Sequence, residues 1–573
     1  MFSVLEGVVR EAFPEFTLKV PAFRRPPDQK LGDYALNCGV LAKELRRPAG
    51  EIAQAIAEAA SVYGEVAEAT AVGGFVNIRL RPEVLFAEAV KAAADKNARL
   101  PQGQRVMVEY LSPNTNKPLH LGHLRNGALG SSLANILEAA GYDVVRANLV
   151  NDRGVHICKS MVAWQRFAAG ATPESAGKKG DHFVGGWYVR FSLEAKTNPS
   201  LEQEAQSMLR LWEEGGSAVK ALWQAMNEWV YAGFAQTYDR FGFRFDKEYR
   251  ESELYLLGKD IVQKGLDKGV FVRLEDGRVV FPLDSEQFGK GREGEERYAT
   301  FLRGDGTAIY ITQDLGTAVM KVEDFHIDRS IYVVANEQRN HFQTLFAALR
   351  ALGYPWAPML YHRSYAMVEL PDGKMKSREG TVVDADDLAD DMASMATAAV
   401  RERHSADTIS EEEVAMRAEK IAIAAIKFYL LRFDPNTTIK FNPKESLSFE
   451  GDTGPYCLYA FARAQSILSR AKSNGMAVAE SFANLGELEE RALALDILDL
   501  PRTIQSAAGS YDPSVVANHM LKLARDFNVF YQKIPVLSAN QEVAQQRLAL
   551  VQASAEALRW ALSLLGIKTI DAM

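Results

Sequence analysis

Between Arg105 and Val150 the chain carries a β-rich run (RVMVEYLS), a helical stretch and a second β-rich run (DVVRANLV), all in fewer than 50 residues. The helix is read from apolar residues at Leu124, Ala128, Leu133 and Leu137, with Gly141 as its stop. Strand, helix, strand over that distance is a βαβ unit, and its strands must lie parallel because the chain crosses over between them. A sheet built this way dictates the rest of the domain. Strand and helix alternate again at TAIYIT, SIYVVAN, HFQTLFAALRALGY and RSYAMVEL, so the sheet is expected to resume after an interruption at about 155–300, where polar helical stretches dominate.

At 573 residues the chain exceeds one compact core. Residues 1–98 read as an α+β segment, with helical EIAQAIAEAASVYG and PEVLFAEAVKAAADKN around the strand-like GGFVNIRL, and KNARLPQGQ has linker composition. The α/β part spans 99–395, and 396–573 reads as amphipathic helix almost throughout. Three scattered cysteines, Cys38, Cys158 and Cys457, offer neither a disulfide framework nor zinc spacing and are expected as free thiols. The net charge of −8 excludes a bulk nucleic-acid coat but not local basic patches. No apolar run is long enough to span a membrane, and the acid-containing start lacks a signal-peptide pattern, so the cytoplasm is expected.

The chemistry concentrates at two places. In SPNTNKPLHLGHLRNG, Ser112–Gly127, His120 and His123 flank Gly122 where strand passes to helix. Ligands of open parallel sheets bind at that edge, and the N–H groups and dipole of a helix start suit phosphate. Imidazoles are donors there and can become charged. Taken alone, the pair is equally a satisfied helix cap; as a metal site it lacks a third ligand. The second place is PDGKMKSREGTVV, Pro371–Val383, where Lys374, Lys376 and Arg378 share a glycine-bounded loop after a strand. Alone it is a solvated basic turn. Facing the histidine turn, it is what a departing pyrophosphate requires.

HLGH resembles the HIGH motif, and KMKSR the KMSKS motif, of class I aminoacyl-tRNA synthetases. The contexts VEYLSPNTNKPLHLGHLRN and DGKMKSREGTVV resemble arginyl-tRNA synthetases in particular. GDYALNCGVLAK and GGFVNIRL resemble that family's N-terminal domain. GDTGPYCLYAFARAQSIL, FNVFYQKIPVL and EALRWALSLLGI resemble its helical anticodon-binding domain. The resemblance implies a Rossmann-like catalytic domain (99–395, with a helical insertion at about 155–300 for the acceptor end), an N-terminal α+β domain that meets the tRNA D-loop (1–98), and an all-α domain for stem contact and the anticodon (396–573). It implies an arginine–tRNA ligase that uses ATP, with Mg²⁺ carried by the nucleotide, makes arginyl-adenylate, and transfers arginine to tRNA-Arg; a monomer is expected.

Substrate groups are the nucleophiles in both steps, so positioning and charge stabilisation are what the protein must supply. The resemblance assigns His120, His123, Lys117 and Lys374 to catalysis. For ATP it adds Gly122, Asn126, Met375 and Lys376, with Gly122 leaving room for the nucleotide. Whether Lys117 or Lys376 stands in for the second lysine of KMSKS, replaced here by Ser377, stays open. A planar guanidinium calls for fixed carboxylates. Glu109 and Asp314, each read at a strand end, are the candidates, joined by Asn114, Tyr310 and Gln338. Such a site rejects analogues without editing. Asn77, Tyr459 and Tyr531 are the expected tRNA contacts, the tyrosines as stacking platforms. The sequence departs from the family at NDRGVH, Asn151–His156, and VVANEQRNH leaves the alignment around Gln338 loose by a residue. The rivals are the cysteinyl enzyme, whose zinc site is absent, the glutamyl enzyme, a small-molecule nucleotidyltransferase, for which the helical C-terminal part is superfluous, and a non-catalytic tRNA-binding paralogue.

Overall fold

The computed structural model describes residues 2–95, 103–289, 297–369, 383–403 and 409–571. Five parallel strands form the central sheet: β1 (Arg105–Glu109), β2 (Asp143–Val150), β3 (Lys247–Arg250), β4 (Arg329–Ala335) and β5 (Leu360–Tyr365). Their spatial order is β5-β4-β1-β2-β3. Between β1 and β4 the winding reverses direction, which opens a crevice at their C-terminal ends. Helix α1 (Leu121–Ala139) leaves β1 on one side of that crevice. On the other, α5 (Arg339–Ala351) leaves β4 through a short 3₁₀ turn, Asn336–Gln338. α1 is buried along nearly its whole length, with Gly127 and Gly130 allowing close approach: a Cβ would lie 2.5 Å from Phe243 and 2.2 Å from Tyr110 respectively.

The interruption after β2 is not one excursion. Helices including α2 (Gly180–Glu194) and α3 (Ser217–Phe241) are followed by a return to the sheet as β3, paired in parallel with β2 from Ala147 to Val150. A separate three-stranded antiparallel sheet (272–302) then precedes α4 (Tyr310–Phe325). The strand expected at TAIYIT is therefore corrected. From Tyr310 the chain is helical, and the β-branched Ile311 and Thr312 are buried on the inner side of the helix. Their strand propensity yields to that packing.

The N-terminal three-stranded sheet, in order 34–37, 75–80, 66–72, is tied to the C-terminal helices by buried ion pairs, Asp33 with Arg491 and Arg25 with Asp496. After α6 (Ala385–Arg403) come helices Glu411–Leu431, Gly454–Ser473, Leu488–Ser510, Ser514–Lys533 and Gln541–Leu564. The three cysteines are buried and unpaired. Among the described residues no helix is long and apolar enough to cross a membrane.

Candidate active site

Beyond β1 the backbone turns through left-handed conformations at two successive non-glycine residues, Leu111 (φ 78°) and Ser112 (φ 47°). Each costs about 1–3 kcal/mol and persists only where neighbours enforce it. Asn126 Oδ1 accepts from Leu111 N at 2.5 Å and Asn148 Oδ1 from Ser112 N at 3.1 Å. The Asn126 amide nitrogen donates to Val333 O at 2.8 Å and to the Tyr365 hydroxyl at 3.1 Å. Asn126 is buried, and through these bonds it braces the turn that carries the motif.

His120 caps α1. Its Nδ1 accepts from Gly122 N at 3.1 Å, and the His120 N–H donates to His123 Nδ1 at 3.1 Å. A ring nitrogen that accepts carries no proton, so each neutral imidazole bears its hydrogen on Nε2. The rings lie 3.8 Å apart. Burial, then Lys117, pushes His120 down to about 3 against a small pull upward from Asp384. Burial, then His120 and Lys117, holds His123 well below the ordinary histidine range. The site therefore presents two neutral donors rather than the charged imidazoles the sequence left open. Positive charge comes from Lys117, whose own pKa burial lowers. The absent side chain at Gly122 makes room for the His120 ring, whose Cε1 lies 3.0 Å from where a Cβ would sit.

Leu121 N donates to Val383 O and Ala385 N to Leu119 O, both at 3.0 Å, so residues 383–385 run along the histidine turn. Strand Val368–Glu369 packs against α1. Of the flanks of 370–382, one thus meets the histidine turn and the other packs against the helix that follows it. Lys374, Met375, Lys376 and Arg378 themselves lie outside the described residues. A cavity of about 270 Å³ opens beside the turn, lined by Lys117, His120, His182, Tyr188 and Asp384. Helix α2 comes close enough that a Cβ on Gly185 would sit 2.6 Å from Pro118. His182, Asp384 and Asp386 have the proximity of a metal cluster. Their positive charge is already supplied: His182 Nε2 lies 3.1 Å from Asp384, and Lys179 Nζ lies 2.7 Å from Asp386.

On the far side of the crevice, Tyr310 and Asp314 lie one turn apart at the start of α4, and Gln338 caps α5, exposed. Asn114 pairs with Asn151 in an isolated parallel bridge, continuing the β1–β2 edge over the crevice. Asp314 Oδ2 is 2.6 Å from His341 Nε2. Glu109 departs from expectation. It is 4% exposed and ion-paired to Lys321, itself 2% exposed. Burial works against the Lys321 charge, and Glu109, together with Tyr332 and Asp314, outweighs it, so the Lys321 pKa is raised. Lys321 takes up part of the Glu109 acceptor capacity, on Oε2.

Sequence reasoning missed a further acid. Glu251 directly follows β3, 7% exposed, and its Oε2 has no hydrogen-bond partner. Burial pushes its carboxyl up to about 7, with Asp152 and Asp314 adding to the shift and Arg153 opposing it. The edge rule applied to β1 would have found it, had β3 been recognised inside the interruption. In the deviant NDRGVH stretch two side chains are held by the fold. Asp152 is buried; its carboxylate accepts from Ser252 N (2.8 Å), Ser252 Oγ (2.7 Å) and the Tyr231 hydroxyl (2.7 Å). Arg153 pairs with Glu213 and lies over the Trp212 and Tyr255 rings.

Among the helices, Tyr459 and Tyr531 line one cavity of about 520 Å³. Arg463, also missed, lies between them, its guanidinium carbon 4.5 Å from each ring centre and Nη2 2.9 Å from the Tyr459 hydroxyl. Asn77 lies in the central strand of the N-terminal sheet and is 6% exposed.

The profile described as "tRNA synthetases class I (R), catalytic domain" matches residues 87–442. The profiles "DALR anticodon binding domain" and "Arginyl tRNA synthetase N terminal domain" match 457–573 and 3–80. The chain is 45% identical over 501 residues to an arginine–tRNA ligase of Bacteroides fragilis, covering 84% of this chain and 82% of that one. It is 44% identical over 527 residues to that of Porphyromonas gingivalis, covering 88% and 87%. Among solved structures, it is similar to Thermus thermophilus arginyl-tRNA synthetase at 30% identity and a TM-score of 0.84, with both chains fully covered (100% each). The Plasmodium falciparum arginyl-tRNA synthetase, at 19% identity and TM-score 0.78 over 100% and 98% of the two chains, shares the fold.

Proposed function

The chain belongs to the arginyl-tRNA synthetase family, and from that premise we propose how its residues carry out the ligation of arginine to tRNA-Arg. The reaction consumes ATP, forms arginyl-adenylate, transfers arginine to the 3′-terminal ribose, and releases AMP and pyrophosphate. What carries the reading is the crevice between β1 and β4, with neutral Nε2–H donors on one side and carboxylates on the other.

ATP lies with its phosphates at the start of α1. His120 and His123 donate from Nε2 to phosphate oxygens, Lys117 supplies charge near the α-phosphate, and Lys374, with Met375 and Lys376, is proposed for the outgoing pyrophosphate. Fixed donors need no reorganisation as charge shifts onto oxygen, which is the source of their catalytic worth. Mg²⁺ arrives on the nucleotide; because Asp384 and Asp386 already hold His182 and Lys179, no protein ligand is proposed for it. The guanidinium lies against Asp314 and Glu251, beside Tyr310. Asn114, Gln338 and the second oxygen of Glu109 are proposed for the α-amino and carboxylate end. Seated so, the arginine carboxylate can attack the α-phosphorus without a protein nucleophile. The tRNA is read at the Tyr459–Tyr531 cavity, where bases stack on aromatic faces. We place the protein in the cytoplasm, as a monomer.

The test is amino-acid-dependent ATP–pyrophosphate exchange, with and without tRNA. Exchange and tRNA charging driven by arginine support the reading; either reaction driven by another amino acid in its place overturns it.

A further inference from the structure

We infer that His341 is a positioning residue for arginine, acting through Asp314: it fixes the carboxylate that meets the guanidinium. The inference rests on the function proposed above and assigns a role to a side chain that reading left unused.

At neutral pH a carboxylate only accepts, so at the 2.6 Å contact His341 Nε2 carries the proton and donates to Asp314 Oδ2. Both side chains are 23% exposed, so the pair lies at the wall of the crevice rather than in the core. The contact joins two helix starts. Asp314 lies one turn into α4, and His341 is one turn past Gln338 on α5. The backbone at His341 is held from below. The next side chain, Phe342, stacks on the His362 ring at 4.6 Å, and His362 Nε2 donates to Val334 O at 2.9 Å. An aspartate without a partner samples rotamers that ligand binding must freeze; one already held does not.

A second consequence concerns Glu251. Two neighbouring carboxylates cannot both ionise freely, and one tends to keep a proton. Glu251, whose Oε2 has no partner and whose carboxyl is pushed up to about 7 by burial, with Asp152 and Asp314 adding to the shift, is the one poised to hold a proton. The guanidinium then meets, in Asp314, an acceptor of fixed orientation.

The experiment measures KM for arginine, KM for ATP and kcat in aminoacylation by the full chain, with thermal unfolding recorded alongside. The proteins are wild type, His341→Ala, His341→Gln, Asp314→Asn and the double variant Asp314→Asn/His341→Ala. His341→Ala should raise KM for arginine about tenfold and leave KM for ATP within about twofold. His341→Gln, which keeps an N–H donor, should recover most of the loss. In the Asp314→Asn background His341→Ala should add less than about twofold. The inference is overturned by an unchanged KM for arginine in His341→Ala, by an equal loss for ATP, or by a full additional loss in the double variant. A wild-type protein that charges no arginine would instead sink the proposed function.

Discussion

The two sides of the crevice solve the same problem, holding a charged ligand in a partly buried place, by opposite means. On the phosphate side the protein withholds charge. His120 and His123 are kept neutral, each fixed by a backbone N–H from the same short turn, and Lys117 is the cation nearby. On the arginine side the protein commits charge and then partners it. Asp314 takes His341, Glu109 takes Lys321, and Glu251 is left without a partner on Oε2. The phosphate side is built within the seven residues Lys117–His123; the arginine side draws on β1, β3, α4 and α5. Local construction gives fixed donors, whereas distributed construction allows selectivity, because every acid must be matched by the ligand or left stranded.

The largest effect should come from the arginine side. Asp314→Ala removes the carboxylate proposed for the guanidinium, and truncating one partner of a desolvated charge pair costs about 2–5 kcal/mol. KM for arginine should rise roughly a hundredfold or more, with KM for ATP little changed. A parallel rise in both would mean that the two sides are not separate modules. Next comes the phosphate side. His123→Ala deletes a fixed donor, and losing one such donor costs about 10²–10³ in turnover. The loss should fall on kcat for adenylation, with arginine and tRNA affinity kept; unaltered kinetics would take His123 out of the chemistry.

How much could be read in advance follows the same division. The phosphate side was legible because its parts are contiguous: strand, turn, two histidines and helix follow in order, and each side chain bonds to backbone within three residues. Even there the charge state was not, because it depends on burial by distant segments. The arginine side was legible only in fragments. Asp314 was singled out but set on a strand, because β-branched Ile311 and Thr312 suggest one. His341, Lys321 and Glu251 were missed because their significance lies in partners or neighbours that the fold brings together: Asp314 for His341, Glu109 for Lys321, and Asp152 and Asp314 for Glu251. Asn126 and Asn77 show the converse: polar residues near a motif that the fold uses as internal braces or buries.

A smaller effect tests whether the division extends to the helical domain. Tyr459→Ala should raise KM for tRNA by roughly tenfold or somewhat more, since stacking is worth about 1–3 kcal/mol per base, and leave KM for arginine and ATP alone. A KM for tRNA equal to wild type would make Tyr459 a packing residue held by Arg463.

The smallest effect is the most specific to the arginine side, where a carboxyl is poised near neutrality. Glu251 sits at about 7, raised chiefly by burial. A guanidinium binds its ionised form, so KM for arginine should rise as pH falls through about 7, by at most about tenfold per unit; Glu251→Gln should flatten that slope while raising KM at pH 8. The stability readout has the opposite sense. The folded value lies above the unfolded one of about 4.3, so between roughly pH 4.3 and 7 the folded chain keeps a proton that the unfolded chain has released. Stability from this group therefore declines as pH rises through that window. The Glu251→Gln protein should gain in Tm relative to wild type from pH 5 to pH 8 without substrate. Saturating arginine should stabilise wild type more than the variant at pH 8, because the ligand then supplies the missing countercharge. A wild-type arginine KM independent of pH over this range would remove Glu251 from the pocket.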